Sequence, residues 1–205
     1  MYLCTTQIDK KTRMKFPILA YGHPDLRKIA KDIQPDYPGL QKLIDDMFEA
    51  MYESNGVGLA APQIGKSIRL FVIDAEPFVE LEEDISEEEK EKLKGQKVFI
   101  NARIVEETGK EREFTEGCLS IPGINESVKR KEKIKITYVD RDFKPHTEEI
   151  DGILARVIQH EYDHLDGILF TDRLSSFKKR LLKRKLENIS KGKVNVDYRM
   201  KFPKK

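Results

Sequence analysis

Two histidines and a glutamate share one short stretch, VIQHEYDHLDG (157–167), and their spacing is typical of a metal site. His160 and His164 lie four residues apart, so on a helix both rings project from one face toward a single ion. Glu161 lies about 100° around the helix from His160, within reach of a water on that ion. A divalent cation lowers the pKa of such a water from about 15.7 toward about 7, and Glu161 can take the proton. The pattern therefore predicts metal-assisted hydrolysis.

The alternative interpretation is a chance arrangement within an ordinary amphipathic helix. Such a helix has a core face here, made of Ile153, Leu154, Val157, Ile158 and Leu165. A chance HExxH motif arises on the order of once in two hundred chains of this composition. Two unpaired imidazoles buried in a core would also cost free energy. The metal site is therefore the preferred interpretation.

A catalytic metal site of this kind needs a third protein ligand and an open position. Cys118 is the best candidate, because it lies in EGCLSIPG (116–123), a glycine-flanked turn at the end of a strand. A small buried hydrophobic residue is an equally good interpretation of a cysteine taken alone. Asp163 and Asp166 are close in sequence but project elsewhere. Cys4 is a weak competitor in an irregular leader.

A glycine-rich stretch, NGVGLAAPQIG (55–65), is the third feature with chemical potential. Glycines here allow a sharp turn or a close approach of the backbone to a ligand. A phosphate-binding loop is a poor interpretation, because no Lys-Ser/Thr pair follows. Spacing alone predicts the end of a helix and a turn, with Gln63 on the surface.

These residues must be positioned by helices and strands that the pattern also predicts. We expect an α+β fold, because helices mix with hairpin-linked strands and no βαβ rhythm is present. The helix that carries His160 is capped by Asp151 and ends near Leu165, before Gly167. The other predicted elements are a helix over 38–56, a strand over 68–74, a strand pair turning at 108–109, a hairpin turning at 142–145, a short strand at 167–170 and a basic amphipathic helix over 175–189.

Length and composition place this chain among single-domain proteins of a reducing compartment. It has 205 residues and only two cysteines, which favours the cytoplasm, with an organelle as the alternative. No apolar run approaches the roughly 20 residues of a membrane span, and no signal peptide is visible. We expect a disordered leader at 1–13, a catalytic domain at 14–190 and a basic tail at 191–205.

Charge is unevenly distributed although the net charge is only +2. Residues 173–205 hold 13 basic and 2 acidic residues, whereas residues 76–92 hold 9 acidic residues and 2 lysines. The basic segment is equally well explained as a surface that meets a polyanion or as a solvated helix face.

Three motifs occur in the order and spacing of one enzyme family. The family's motifs have the forms GφGφAAxQφG, EGCφS and HExxDHφxG, where φ is a hydrophobic residue and x is any residue. This chain matches them, in that order, with GVGLAAPQIG (56–65), EGCLS (116–120) and HEYDHLDG (160–167). On these motifs, residues 15–182 resemble peptide deformylase. The resemblance implies antiparallel sheets around a central metal-binding helix, with a basic C-terminal helix beyond. It also implies an enzyme that removes the formyl group from N-terminal formylmethionine of newly synthesised proteins and releases formate.

The resemblance also implies a role for individual residues. Cys118, His160 and His164 would bind the metal, and Glu161 would be the general acid and base. Gln63 and the backbone N–H of Leu119 would stabilise the oxyanion. The backbone at Gly58 and Gly117 would hold the peptide extended. The residues that would border the methionine pocket are Val57, Glu116, Ile153, Arg156 and Val157.

The implied cofactor is one Fe²⁺ per chain, for which Zn²⁺ or Ni²⁺ substitutes, and a thiolate ligand suits iron as well as zinc. The implied substrates are N-formylmethionyl peptides and nascent chains. The basic C-terminal helix would contact ribosomal RNA through its phosphates. Two features depart from the simplest members of the family, namely the acidic insertion after Ile73 and the extension after Ile189.

Three rival functions share parts of this pattern. A zinc endopeptidase also uses HExxH, but its third ligand is normally a downstream His or Glu, and no histidine follows His164. A structural zinc module needs a fourth ligand, which only Cys4 readily supplies. A blue-copper carrier uses two His and one Cys, but the helical spacing of the two histidines argues against it.

Overall fold

A computed structural model describes residues 16–81 and 85–204. The predicted leader at 1–13, and Cys4 within it, lie outside these described residues. The helices are α1 (Leu40–Glu53), α2 (Pro77–Leu81), α3 (Glu87–Leu93), α4 (Gly152–Leu165) and α5 (Ser176–Ser190). The strands are β1 (Ile18–Leu19), β2 (Gly58–Ala60), β3 (Leu70–Ile73), β4 (Lys97–Glu116), β5 (Glu126–Val139), β6 (Pro145–Asp151) and β7 (Met200–Lys201).

The main sheet is antiparallel and follows the order β2-β3-β4-β5-β6. Strands β1 and β7 form a separate parallel pair, in which Ile18 faces Met200 and Leu19 faces Lys201. The α+β class is thus confirmed. Four predicted elements are present in the structure. The helix at 38–56 is α1, the strand at 68–74 is β3, the hairpin turning at 142–145 is the β5–β6 pair, and the basic helix at 175–189 is α5.

The strand pair predicted around Thr108 and Gly109 is wrong, because both segments belong to the single strand β4. This strand pairs with β5 from Ile100 opposite Val139 to Glu116 opposite Glu126. Gly109 has a φ of +78°, and a register shift follows Thr108, so the glycine marks a bulge and not a reversal. The continuous strand carries the chain from the middle of the sheet to Glu116, two residues before Cys118.

Two smaller expectations around α4 also need correction. The segment at 167–170 is not a strand, because Phe170–Arg173 forms a 3₁₀ helix with Leu169 and Phe170 buried in the core. Asp151 occupies the N-cap position of α4 but its side chain makes no capping bond. Instead, the Ile153 N–H donates to Glu89 Oε1 at 3.3 Å, so the acidic insertion caps this helix through α3.

Helix α4 is buried over nearly its whole length, which is unusual for a segment with so many polar residues. All of its residues except Gly152 and Tyr162 are buried, and it packs against β2, β3, β5 and β6. Ile153, Leu154, Val157 and Ile158 join the core formed with Phe71 and Phe99 of the sheet. The polar residues of α4 are therefore fixed inside the protein. Within the two described ranges, none of the helices has both the length and the apolar character to cross a bilayer.

The segment after α5 packs on the domain. Val194 and Phe202 contact the core that includes Leu182 and Leu186 of α5, and Tyr198 is buried. The pairing of β7 with β1 then fixes residues 200–201 beside the start of the described chain. The tail predicted at 191–205 is thus, over its described part, an integral layer of the fold.

Candidate metal centre and catalytic cleft

Cys118, His160 and His164 meet at one point inside the protein. The potential ligand atoms of the three residues all lie within 4.8 Å of one another. Cys118 Sγ is 3.3 Å from His164 Nε2, and the two imidazole rings are nearly perpendicular with centroids 5.2 Å apart. Helix α4 supplies both imidazoles, and the turn after β4 supplies the sulfur. The structure thus brings together the three residues predicted as ligands.

The residues of this cluster fit a divalent transition metal. A tetrahedral site with bonds of about 2.0–2.3 Å places its donors about 3.3–3.6 Å apart, as Sγ and Nε2 are here. Burial lowers the pKa of His164 well below its usual value, which keeps that ring neutral, as a ligand must be. Burial would also lower the pKa of His160, but hydrogen bonds with Cys118 and Glu116 outweigh it and raise this pKa well above normal. Cys118 and Glu116 thus stabilise a proton on His160, and the same negative groups would stabilise a metal ion that replaces this proton.

Glu116 holds His160 in the orientation that a metal ligand needs. His160 Nδ1 lies 2.9 Å from Glu116 Oε2, which leaves Nε2 as the ring atom available to an ion. Arg130 donates to both oxygens of Glu116 at 2.7 and 2.8 Å and to Asp163 at 2.7 Å. Burial alone would raise the pKa of Glu116, but Arg130 and His160 outweigh it and hold the pKa well below normal. Sequence reasoning missed Arg130, because a lysine- and arginine-rich strand gives no sign of which cation is buried.

Replacing Glu116 by Gln should weaken metal binding without removing a ligand. The amide keeps the shape of the side chain but removes the charge that orients His160, and such changes cost about 10–100-fold in metal affinity. Titration of the apo protein with Zn²⁺ against a chromophoric chelator measures the dissociation constant. Glu113→Gln, an exposed change on the same strand, is the matched control. Equal Zn²⁺ affinity in a folded Glu116→Gln protein would contradict this role.

Glu161 lies in the cleft with its carboxylate held by packing. The residue is 4% exposed, and Oε2 has no hydrogen-bond partner among the described residues. Burial raises the pKa of Glu161 to about 7. A carboxyl group with this pKa can both accept and donate a proton near neutral pH. The unpartnered oxygen is therefore the atom free to meet a water or a substrate.

Gly58 makes room for this carboxylate. A Cβ atom added at Gly58 would lie 2.4 Å from Glu161 Oε1 and 2.8 Å from its Cδ, much closer than packing allows. Position 58 is therefore a glycine because a side chain there would collide with Glu161. Backbone conformation is not the reason, since the φ of Gly58 is not in the left-handed region.

Gly58→Ala should reduce activity by displacing the Glu161 carboxylate. A shift of about 1 Å in a reacting group costs about 100-fold in rate, so we expect kcat to fall by about that factor. Metal content should be unchanged, because the three ligands stay in place. Gly95→Ala is the control, since its Cβ would meet nothing within 4 Å and only the left-handed backbone is strained. A kcat equal to that of the Gly95→Ala protein would refute the steric role.

Gln63 is buried beside Cys118, so the surface position predicted from spacing alone is wrong. Its Oε1 accepts from the Ala60 N–H at 2.8 Å, which fixes the amide and directs Nε2 to Cys118 Sγ at 3.5 Å and Ser120 Oγ at 3.4 Å. The residue is only 1% exposed. The sequence did contain one indication that Gln63 is buried, because its neighbours Ala61, Pro62 and Ile64 are apolar. All four residues of this 3₁₀ helix, Ala61–Ile64, are buried.

Leu119 lies in a tight turn directly after Cys118. The Ile121 N–H donates to the Cys118 carbonyl at 2.8 Å and closes this turn, so Leu119 is its second residue. The Tyr21 N–H donates to the Ser120 carbonyl at 2.8 Å from the other side. The backbone at Leu119 is thus held beside the cluster.

A cleft of about 400 Å³ opens in front of the cluster. It is lined by most of the residues predicted for substrate binding, namely Val57, Gly58, Glu116, Gly117, Arg156 and Val157. Ile153 does not line it and faces a neighbouring polar groove. The Arg156 guanidinium donates to the Arg112 carbonyl at 2.6 Å and lies over the ring of Phe114.

Three aromatic residues of the cleft were not predicted: Phe78, Phe114 and Tyr198. Phe78 and Phe114 meet edge to face with centroids 6.1 Å apart. Phe78 belongs to α2 in the acidic insertion, for which the sequence predicted no site residue. No local pattern marks it, because one aromatic residue among acids has no periodicity. Tyr198 comes from the segment after α5.

The two aspartates near the motif point away from the cluster, as predicted. Asp163 accepts from Arg130 and from Arg173, and Asp166 accepts from Arg69 Nη1 at 2.7 Å. Among residues 16–81 and 85–204, the group of metal-ligating atoms within mutual reach therefore consists of one sulfur and two imidazole nitrogens. Three ligands leave a fourth position of a tetrahedral ion for a reactant.

Comparison with known proteins identifies relatives of this site. The sequence model described as polypeptide deformylase matches residues 15–180. A peptide deformylase of Christiangramia forsetii is 58% identical over 191 residues, which cover 93% of this chain and 97% of the relative. One of Flavobacterium johnsoniae is 55% identical over 190 residues, covering 92% and 96%. The crystal structure of a peptide deformylase from Legionella pneumophila superimposes with a TM-score of 0.72 at 42% identity, covering 87% of this chain and 96% of that one.

Proposed function

The chain belongs to the polypeptide deformylase family, and from this premise we propose how its own residues divide the work. The enzyme is a metal-dependent hydrolase that removes the N-formyl group from the first methionine of newly synthesised proteins. The observation that carries the residue assignment is the convergence of Cys118, His160 and His164 beside the unpartnered Glu161 Oε2.

The cleft binds the start of a formylated peptide in an extended conformation. Gly58 and Gly117 both line the cleft, Gly117 with an exposed backbone, and we assign to their backbone groups the hydrogen bonds that hold the peptide. The apolar surfaces of Val57, Val157 and Phe78 receive the methionine side chain. Aromatic rings make favourable contacts with a thioether sulfur, which supports methionine as the first residue.

The divalent cation is held by Cys118, His160 and His164 and, when bound, supplies a Lewis acid that activates water near neutral pH. We assign Fe²⁺ as the resident ion, with Zn²⁺ or Ni²⁺ able to substitute. One thiolate among the ligands supplies more electron density than a third imidazole and suits iron.

Glu161 moves the proton. Its free oxygen accepts a proton from the attacking water and then donates it to the amine as the C–N bond breaks. A pKa near 7 supports both steps, since the carboxyl group passes between its two forms at little cost. The products are formate and a peptide with a free amino terminus.

Two donors stabilise the negative oxygen that forms when water attacks the formyl carbon. Gln63 Nε2 is directed into the site by the bond between its Oε1 and Ala60, and the Leu119 N–H lies on the turn after Cys118. One such donor contributes about 3–4 kcal/mol to the transition state in comparable sites.

The direct test is anaerobic purification, elemental analysis and a formate-release assay. We expect one Fe²⁺ per chain, formate release from formyl-Met-Ala-Ser, and loss of activity in air. Internal amide substrates should not be cleaved, which separates this function from a zinc endopeptidase. Formate release with zinc as the native ion would overturn only the metal assignment, whereas its complete absence from the metal-loaded protein would overturn the function.

Helix α5 supports a contact between the enzyme and the ribosome. It carries six Lys or Arg residues and one Glu, while Leu182, Leu186 and Ile189 attach it to the core. Exposed cations on a fixed helix are suited to phosphates, and such binding weakens steeply with salt.

The substrate emerges at the ribosome, so we place the enzyme in the cytoplasm. We assign the deformylase domain to residues 14–190, with 191–205 as a basic extension.

Charge reversal tests the ribosome contact. The variant Lys183→Glu/Arg184→Glu/Lys185→Glu should lose most binding to purified ribosomes in cosedimentation at low salt. The control Lys110→Glu/Lys129→Glu/Lys133→Glu changes the net charge equally but lies on the main sheet. The variant should keep its kcat on short peptides. Equal binding by both proteins would remove the assigned role of α5.

A further inference from the structure

Tyr198 extends from the segment after α5 into the catalytic cleft. It is 9% exposed and lines the cleft together with Gln63, Cys118 and Leu119. Its hydroxyl donates to the Leu119 carbonyl at 2.8 Å. Tyr198 lies beyond the residues that the family model matches, which end at 180. A residue outside the matched region thus contacts the backbone of the proposed oxyanion donor.

This hydrogen bond completes the restraint on the Leu119 backbone. A peptide unit is planar, so the bond from the Ile121 N–H to the Cys118 carbonyl also sets the plane of the Leu119 N–H. The next peptide plane contains the Leu119 carbonyl, which Tyr198 holds. Fixing both planes leaves little freedom in the two backbone dihedral angles of Leu119, and therefore in the direction of its N–H.

The tyrosine is itself rigidly anchored. The Ile18 N–H donates to the Arg199 carbonyl, and the Ala20 N–H donates to the Lys201 carbonyl, each at 2.9 Å. The same β1 segment leads to Tyr21, whose N–H holds the Ser120 carbonyl. The β1–β7 pair therefore holds the turn at 118–121 at two carbonyls, that of Ser120 through Tyr21 and that of Leu119 through Tyr198.

We propose that Tyr198 is a positioning residue of the deformylase reaction, which holds the Leu119 N–H in the direction of the developing oxyanion. The proposal rests on the proposed role of Leu119. Tyr198 acts through the Leu119 backbone and not on the reacting atoms. The segment at 191–204 is then part of the catalytic apparatus, which assigns a function to the extension after Ile189.

Tyr198→Phe tests the proposal, because it removes one hydroxyl and keeps the ring in place. We expect kcat on formyl-Met-Ala-Ser to fall about tenfold, KM to change less than twofold, and metal content to be unchanged. Hydrogen exchange of the Leu119 amide should become faster. Tyr138→Phe is the matched control, since it removes a hydroxyl that donates to Glu148 at 2.9 Å on the β5–β6 pair. The control should keep its kcat and its Leu119 exchange rate.

Two results would overturn the proposal. An unchanged kcat would show that the hydroxyl does not position the donor, and a higher KM at unchanged kcat would make Tyr198 a substrate contact. If Tyr198→Phe does not fold, the backbone order parameter of the Leu119 N–H in the unaltered protein provides a second test, and a flexible amide there, with S² below about 0.6, would overturn the proposal. Absence of formate release from the unaltered metal-loaded protein would refute the proposed function itself, whereas normal release with an unaffected Tyr198→Phe protein would refute only this inference.

Discussion

Glu161→Gln is expected to lower kcat on formyl-Met-Ala-Ser by about 10²–10⁴-fold and to leave the metal content unchanged. General acid–base catalysis by a positioned side chain contributes an effect of this size. The carboxylate is buried in the cleft, and its Oε2 has no partner among residues 16–81 and 85–204, so the amide removes proton transfer and little else. KM should change little, because Glu161 does not anchor the peptide.

The measurement combines steady-state formate release with elemental analysis of the same sample. Glu53→Gln is a suitable control, because Glu53 Oε2 is likewise buried without a partner but lies at the end of α1, outside the lining of the cleft. A Glu161→Gln enzyme with full metal and a normal kcat would show that another group moves the proton.

Cys118→Ala is expected to abolish stable metal binding and, with it, turnover. Sγ is one of three donor atoms within 4.8 Å of one another, and without it two imidazoles on one helix hold an ion only weakly. We expect the purified protein to contain less than about one tenth of the metal of the unaltered enzyme, since even partners of the ligands affect affinity 10–100-fold. Activity should fall in proportion at limiting metal.

Cys4→Ala provides the control and also tests the structural-zinc alternative. If Cys4 completed a closed site, its loss would reduce metal content and stability as severely as the loss of Cys118. We expect full metal content, an unchanged melting temperature and normal formate release. Metal retention by Cys118→Ala together with metal loss by Cys4→Ala would reverse the assignment of the sulfur ligand.

The reactive centre was readable from the sequence because its chemistry depends on local spacing. His160, Glu161 and His164 share one helical turn, so their relative placement follows from helix geometry alone. Cys118 and Gln63 required the resemblance, because a cysteine in a turn and a glutamine near glycines have ordinary structural explanations. Their closeness depends on the sheet, which brings residue 63 to residue 118 across 55 positions.

The errors have one physical cause, which is that short-range patterns do not report tertiary partners. Glycine is common in turns, which suggested a reversal at Gly109. However, the residues before and after Gly109 both pair with β5, so β4 continues through a bulge. Aspartate is a common N-cap residue, which suggested a capping bond from Asp151. Instead, the Ile153 N–H donates to Glu89 of the acidic insertion. Arg130 gains its role from Glu116 and Asp163, which are 14 and 33 positions away, and Tyr198 gains its role from Leu119, 79 positions away.

The parallel pair of β1 and β7 also affects when the enzyme becomes competent during its own synthesis. Ile18 has no strand partner until the ribosome has added Met200, so closure of this pair spans 182 positions and follows the folding of the sheet. A growing polypeptide that ends before Tyr198 already contains Cys118, His160 and His164, but its Leu119 carbonyl still lacks the hydrogen bond from Tyr198. Maturation of this enzyme is therefore expected in two stages, with ion capture preceding full catalytic speed.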